Sequence, residues 1–220
     1  MGGRNLAHIH LEDGSFTLYW VLVWWAIALI LIGVSLVWVR SKKKFSNRKI
    51  TLAAFCTAAA FAIFQVSIPL FGGVHLNLTP LIGILLGPAL GALVVLIINI
   101  LSAAIGHGGW GMIGANLLVN ITELVVAYGI WRALKNLFSG GFARAGIATL
   151  AGLFCGNMVM IVIIVISGVQ GAAQTSSQIL TGLTLIAAVN MGVAVIEAFI
   201  TGMIIVSIMK ARPDMLERDE

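Results

Sequence analysis

Charged residues are scarce in this chain. Of its 220 residues only 10% are charged, whereas 60% are apolar and the mean hydropathy is +1.07. Soluble domains are typically about half apolar and about a quarter charged. The composition therefore excludes an ordinary soluble domain and indicates an integral membrane protein in contact with the lipid bilayer. We expect no nucleic-acid partner.

Several chemical motifs are also missing. The two cysteines, Cys56 and Cys155, lie in apolar runs without CxxC spacing, so neither a disulfide framework nor a cysteine metal site is indicated. No GxxxxGK[ST] loop is present, so ATP binding through that motif is not expected. No HExxH pair is present, no serine stands beside a histidine within a span, and no paired histidines lie within the apolar runs. A membrane enzyme and a haem electron carrier are therefore not expected.

The apolar residues form six long runs. Each has about the 20 residues that a helix needs to cross a hydrocarbon core of about 30 Å. The runs lack the two-residue alternation of a membrane barrel. We predict an all-α membrane bundle that forms one transmembrane domain over 1–220, with an outer segment at 1–15, an extra amino-terminal helix at 16–39 and a core bundle at 50–209. The runs are Phe16–Val39, Ile50–Leu70, Leu78–Ile105, Ile113–Leu134, Ala143–Ser167 and Ile179–Met209.

The basic residues predict the orientation. Twelve of the thirteen form three clusters, which the positive-inside rule places in the cytoplasm. The amino terminus is then outside and the carboxyl terminus cytoplasmic, provided that the third run begins and ends outside. Gly87-Pro88 interrupts that run, which predicts a short helix at Leu78–Leu86 and a returning helix at Ala89–Ile105. The result is a multi-pass protein of the cell membrane with six full spans and one short one. The clusters are Arg40, Lys42, Lys43, Lys44, Arg48 and Lys49; Arg132, Lys135 and Arg144; and Lys210, Arg212 and Arg218.

All four histidines fall on the predicted outer face. His8 and His10 precede the first span in "AHIHLEDGSF", His75 follows a Gly-Gly turn, and His107 stands in "GHGGWG". Imidazole is the commonest side-chain ligand for transition metals and suits nickel, cobalt, zinc and copper. Each histidine also has a simpler explanation: a solvated tail for His8 and His10, a loop hydrogen bond for His75, and orientation of a neighbouring group for His107.

Carboxylates and one amide complete the polar residues. Glu12 and Asp13 either support the outer segment through hydrogen bonds or are simply solvated. Glu123 and Glu197 lie within apolar runs, too deep for a metal at the outer face, and we expect them to be protonated or hydrogen-bonded packing residues. Asn116 is expected to support the site, either as a helix cap or through a bond to His75.

An ordered set of motifs resembles the CbiM/NikM family. The motifs are "LAAFCTAAAFAIFQ" from Leu52, "PLFGGVHLNL" from Pro69, "GILLGP" from Gly83, "GHGGWGMIGAN" from Gly106, "EAFITG" from Glu197 and "RPDML" from Arg212. The family comprises the cobalt- or nickel-binding membrane subunits of energy-coupling factor transporters. The resemblance implies a seven-helix fold with an extra amino-terminal helix, an outward amino terminus and a metal site covered by that terminus.

The resemblance also implies a ligand set. In the family a terminal amine, a backbone amide nitrogen and an imidazole come from a Met-His start, and a loop histidine completes four planar nitrogens. Matching "HLEDG" and "GGVHL" assigns the imidazoles to His10 and His75. Nine residues, "MGGRNLAHI", precede His10. The terminal amine then reaches the site only if the chain is trimmed, is translated from another start or folds back; otherwise His8 replaces the amine. These alternatives stay open.

Small residues on the second span indicate a contact surface. Ala54, Ala58 and Ala62 recur every four residues, which permits close approach of another helix. The stripe either packs within the bundle or, as the resemblance implies, meets a membrane coupling protein. Separate ATPase subunits would then supply energy, and a small auxiliary membrane subunit is a further candidate partner. The alternative functions are a vitamin-binding subunit of the same transporter class and a stand-alone metal-binding membrane protein.

Overall fold

The computed structural model describes residues 14–41, 47–65, 67–68, 74–138, 140–168 and 176–216. Within these residues the fold is helical, apart from a pair of two-residue strands and three short 3-10 turns. The strands β1 (Ser67–Ile68) and β2 (Val74–His75) pair antiparallel, with Ser67 opposite His75. The seven α-helices are α1 (Leu18–Ser41), α2 (Asn47–Phe64), α3 (Thr79–Leu86), α4 (Pro88–Ala104), α5 (Ile113–Ala133), α6 (Gly141–Ser167) and α7 (Ser176–Ala211).

Four of the described segments are long and apolar enough to cross a membrane. They are Leu18–Ser41, Trp110–Asn136, Gly141–Ser167 and Thr181–Ala211. Large apolar side chains point outward along them, which is how a helix presents itself to lipid. The prediction of an all-α membrane bundle is confirmed to the extent that the described fold is helical and four of its segments are long and apolar enough to span a membrane. The count of six full spans and the outward amino terminus remain predictions.

The predicted break in the third apolar run is confirmed. Gly87 ends α3 with a positive φ of 76°, and its N–H donates to the carbonyl of Gly83 at 2.9 Å. Pro88 opens α4, a position at which its missing N–H costs no helical hydrogen bond. The short α3 packs closely on α5, since a side chain at Gly83 would collide with the backbone of Leu124.

Contacts between helix ends define two ends of the bundle. At the histidine end, which holds His75 and His107, Trp24 of α1 bonds to Ser167 at the last residue of α6. At the opposite, basic end, Nε of Arg144 donates to the carbonyl of Trp131 at 2.6 Å, and Phe142 packs on Phe199. The described basic residues at the ends of α5 and α7 and the start of α6 therefore lie together, away from the histidines.

The second apolar run departs from its predicted boundaries. It was expected to be helical from Ile50 to Leu70, but α2 spans Asn47–Phe64 and the chain then enters β1 at Ser67. Apolar composition alone did not show where the helix ends and the strand begins. The apolar residues of β1 satisfy their backbone hydrogen bonds by pairing with β2 instead of continuing α2. The other helix boundaries shift by up to three residues; Phe16, for example, packs in the core rather than beginning α1.

Candidate metal site

The structure brings His75 and His107 together. Their ring centroids lie 4.5 Å apart with the ring planes at 90°. The ring of Phe64, the last residue of α2, lies 4.9 Å from that of His107 and 5.7 Å from that of His75. His75 is buried and His107 is half-buried. Two imidazoles separated by 32 residues therefore share one aromatic-walled site, and their role as ligands stays a prediction.

The backbone positions His75 from both sides along the chain. On the amino-terminal side β2 pairs with β1. On the carboxyl-terminal side, the chain turns into α3 through Leu78, whose φ of 51° is left-handed and unusual for a residue with a side chain. His75 thus lies between a strand pair and a constrained turn.

Glycines shape the chain around His107. Gly106 and Gly108 have φ values of 80° and 79°, which glycine adopts without a steric penalty. Between them, the N–H of His107 donates to the carbonyl of Ser102 at 2.9 Å. The loop therefore folds back on the end of α4 and fixes the histidine backbone there.

A small cavity lies beside His107. Its volume is about 30 Å³, comparable to the space that one water molecule takes up in the liquid. The cavity is small enough to suit a single ion or water. Ser102 is buried, and its hydroxyl has no hydrogen-bond partner within the described residues. The lining residues are Phe64, Asn99, Ser102, Ala103, His107, Gly108, Gly109, Ile113 and Asn116.

Asn116 lies at the cavity but does not cap the helix. Helix α5 begins at Ile113, Met112 occupies the cap position, and no side chain caps it. The capping prediction is therefore wrong, because a 3-10 turn at Trp110–Met112 leads into the helix and leaves Asn116 in its first full turn. The other predicted role of Asn116, a bond to His75, stays a prediction.

The other predicted site residues, His8, His10, Glu12 and Asp13, lie outside the described residues. The start of α1, which follows these residues in the chain, lies at the histidine end. Trp24 Nε1 donates to Ser167 Oγ at 2.8 Å, and Trp25 Nε1 donates to the carbonyl of Trp110 at 3.1 Å. Within the part of the chain that the structure describes, no group of three or more His, Cys, Asp or Glu side chains is arranged to hold a metal.

A buried polar cluster lies next to the histidine site along the chain. Asn77 hydrogen-bonds to Glu123, Asn120 and Glu197, so both buried glutamates are hydrogen-bonded, as expected from their depth. Sequence reasoning missed Asn77 and Asn120. The available signal was that Asn77 follows His75 by two residues, but a single asparagine in a loop has no distinctive pattern.

The alanine stripe on α2 is exposed. Ala54, Ala58 and Ala62 all face outward, whereas Ala53 and Ala60 on the other side of the helix are buried in the bundle. In the described structure the stripe is therefore not used for packing within the bundle.

A helical membrane bundle with paired histidines at one end defines a membrane protein suited to a transition-metal ion. Residues 10–215 match the family model CbiM, described as the cobalt uptake substrate-specific transmembrane region, and the chain belongs to this family.

Named relatives and a solved structure agree with this assignment. A protein of Ruminiclostridium cellulolyticum named "Cobalt transport protein CbiM" is 27% identical over 166 residues, covering 72% of this chain and 64% of that protein. A protein of Archaeoglobus fulgidus named "Putative fused nickel transport protein NikMN" is 27% identical over 216 residues, covering 96% of this chain and 68% of that protein. A crystal structure of a transition metal transporter superposes with a TM-score of 0.75 at 20% identity, covering 92% of this chain and 93% of the other, which shows a shared fold.

Proposed function

We propose that this chain is the substrate-binding membrane subunit of an energy-coupling factor transporter that takes up cobalt or nickel ions. The observation that carries the proposal is the contact between His75 and His107 at the end of the bundle from which the chain enters α1. Membership of the CbiM family supports a metal ion as the transported substrate.

The proposed site is built mainly from nitrogen ligands. His75 supplies one imidazole, and His10 supplies a second from the segment that precedes α1. Nitrogen ligands of this kind suit nickel and cobalt. Either His8 or a free amine created by trimming adds a further nitrogen, His107 serves as a ligand or orients His75, and Glu12, Asp13 and Asn116 support the site.

Transport in this proposal requires separate partners. The family is a subunit of metal uptake systems, so we propose that a membrane coupling protein and ATPase subunits complete the transporter, with a small auxiliary membrane subunit as a further partner. The exposed stripe of Ala54, Ala58 and Ala62 supports a docking surface on α2. In this arrangement the histidine end faces outward and the basic end faces the cytoplasm.

The size of the cavity favours an ion over a vitamin. Pockets for small organic ligands typically enclose about 300–1,000 Å³. The cavity beside His107 has a volume of about 30 Å³. A vitamin-binding subunit of the same transporter class is therefore the weaker alternative.

The test is titration of the purified full-length chain with Co²⁺ and Ni²⁺, beside a panel of vitamins. Substituting His10→Ala or His75→Ala should weaken metal binding by more than about 100-fold, because losing a ligand costs more than the ~10–100-fold of losing an outer partner. Thr57→Val is a suitable control, since Thr57 only bonds to the carbonyl of Ala53 in its own helix. Tight metal binding in both histidine variants, or vitamin binding without metal binding, would contradict the proposal.

The amino-terminal ligand needs its own measurement. Intact mass of the protein from its native source establishes whether residues before His8 or His10 are retained. In an untrimmed chain His8→Ala should weaken binding; normal binding without His8 would instead assign the missing ligand to His107 or a carboxylate.

A further inference from the structure

We propose that Glu197 and Glu123 are positioning residues for His75, acting through Asn77. The inference rests on the proposed function, in which His75 binds the transported ion. It assigns a role in metal binding to two carboxyl groups that lie within the bundle and do not touch the ion.

Hydrogen bonds hold Asn77 between two helices. Its backbone N–H donates to Oε2 of Glu197 on α7 at 3.1 Å. Its side-chain nitrogen donates to Oε2 of Glu123 at 2.9 Å and to Oδ1 of Asn120 at 3.0 Å, both on α5. Because the side-chain nitrogen carries two hydrogens, both are used, and residue 77 is fixed in place and in orientation.

The same carboxyl groups hold the turn that follows. The backbone amide of Leu78 also lies next to the carboxyl group of Glu197, and Thr79 lies next to that of Glu123. The left-handed conformation of Leu78 is uncommon for a side-chain-bearing residue and persists only where surrounding contacts enforce it. Glu197 provides such a contact at that residue.

Asn77 is close enough to His75 along the chain for the fixed position of Asn77 to restrain His75. Residue 77 lies two positions after His75, and two residues of extended chain span at most about 7 Å. On its other side His75 is held by pairing with Ser67. Both flanks of the histidine are therefore fixed, one by a strand and the other by the buried carboxyl groups.

Both carboxyl groups are buried among the helices of the bundle. Glu123 is 6% exposed and Glu197 is 2% exposed. Among the described residues, the polar groups around the two carboxyl groups are amides and a hydroxyl, with no cationic side chain. Glycine at position 156 leaves room for Glu123, since a Cβ there would lie 2.6 Å from Oε1. An ionisable group within a membrane bundle is costly and by default indicates function.

The experiment compares three substitutions on α7 in the full-length chain. Glu197→Leu removes the acceptor for the Asn77 amide, whereas Glu197→Gln keeps a carbonyl oxygen. Thr201→Val is the matched control, because Thr201 lies one turn further along α7, is fully buried, and has no hydrogen-bond partner for its hydroxyl within the described residues. The readouts are Co²⁺ and Ni²⁺ affinity, the visible absorption spectrum of bound Co²⁺ and the thermal unfolding midpoint.

A positioning role predicts a specific pattern. Glu197→Leu should weaken metal binding by about 10–100-fold and alter the Co²⁺ spectrum, the size expected when a partner that orients a ligand is lost. Glu197→Gln should restore the spectrum and most of the affinity, and Thr201→Val should change neither. Wild-type affinity and spectrum in a folded Glu197→Leu variant would overturn the inference.

A second variant covers the case in which Glu197→Leu does not fold. Asn77→Ala removes the bonds to Glu123 and Asn120 while leaving the backbone N–H that donates to Glu197. It should weaken metal binding by at least about 10-fold, and unchanged binding would overturn the inference. His75→Ala, measured in parallel, separates the two proposals: if that variant binds metal normally the proposed site is wrong, and if only the Glu197 and Asn77 variants bind normally the positioning role alone fails.

Discussion

The indole nitrogen of Trp24, in the second turn of α1, donates a 2.8 Å hydrogen bond to the hydroxyl of Ser167, the last residue of α6. The next residue, Trp25, bonds to the carbonyl of Trp110, which follows His107 by three positions. These two bonds attach the start of α1 to the histidine end. They therefore place the first turns of α1 beside the loop that carries His107.

Gly114 tests the importance of that attachment. A Cβ at this position would lie 2.6 Å from the backbone nitrogen of Trp25 and 2.8 Å from the backbone carbon of Trp24, so Gly114→Ala must displace α1 from α5. We expect a lower unfolding midpoint and weaker Co²⁺ binding by titration. Gly129→Ala on the same helix meets nothing within 4 Å and should change neither. Unchanged stability and binding in Gly114→Ala would show that the close approach of α1 is dispensable.

Glycines on α6 provide a stability test that does not involve metal. A Cβ at Gly152 would lie 2.6 Å from the carbonyl oxygen of Glu123 and 3.1 Å from Cβ of Ala127. Overpacking of this kind typically costs about 1–3 kcal/mol, so Gly152→Ala should lower the free energy of unfolding measured in detergent. Gly146→Ala, where the nearest atom is 3.7 Å away, is the control and should be close to neutral. Equal stability of the two variants would contradict the close packing of α5 on α6.

The sequence predicted the helix pattern better than it predicted which faces pack. The break at Gly87-Pro88 was predictable because both residues act on the local backbone. The exposure of Ala54 and the burial of Ala60 could not be predicted from the sequence. Lipid is as apolar as a protein core, so hydropathy does not separate a lipid-facing alanine from a packed one. The contact of His75 with His107 depends on tertiary structure, and topology predicted only that they share one face.

His107 is predicted to affect metal binding, whether it acts as a ligand or orients His75. Its ring lies perpendicular to that of His75 and lines the small cavity. His107→Ala should weaken Co²⁺ and Ni²⁺ binding by at least about 10-fold. A loss of more than about 100-fold would assign His107 as a ligand, and a loss of about 10–100-fold would assign it to orientation of His75. The control is again Thr57→Val, because Thr57 bonds to the carbonyl of Ala53 in its own helix and does not line the cavity. Wild-type affinity in His107→Ala would contradict both roles.

The exposed stripe on α2 predicts a separation of assembly from metal binding. Leucines at Ala54 and Ala58 would cover a surface that now permits close helix approach, so the double variant should lose most of its coupling protein and ATPases on co-purification from the native host. Metal affinity should stay near the wild-type value, because the stripe faces away from the bundle. Phe154→Leu is the control, since Phe154 is also exposed, at 50%, but lies on α6 rather than on α2. Normal co-purification of the double variant would show that partners bind elsewhere, whereas loss of metal binding would show that the substitutions disturb the bundle itself.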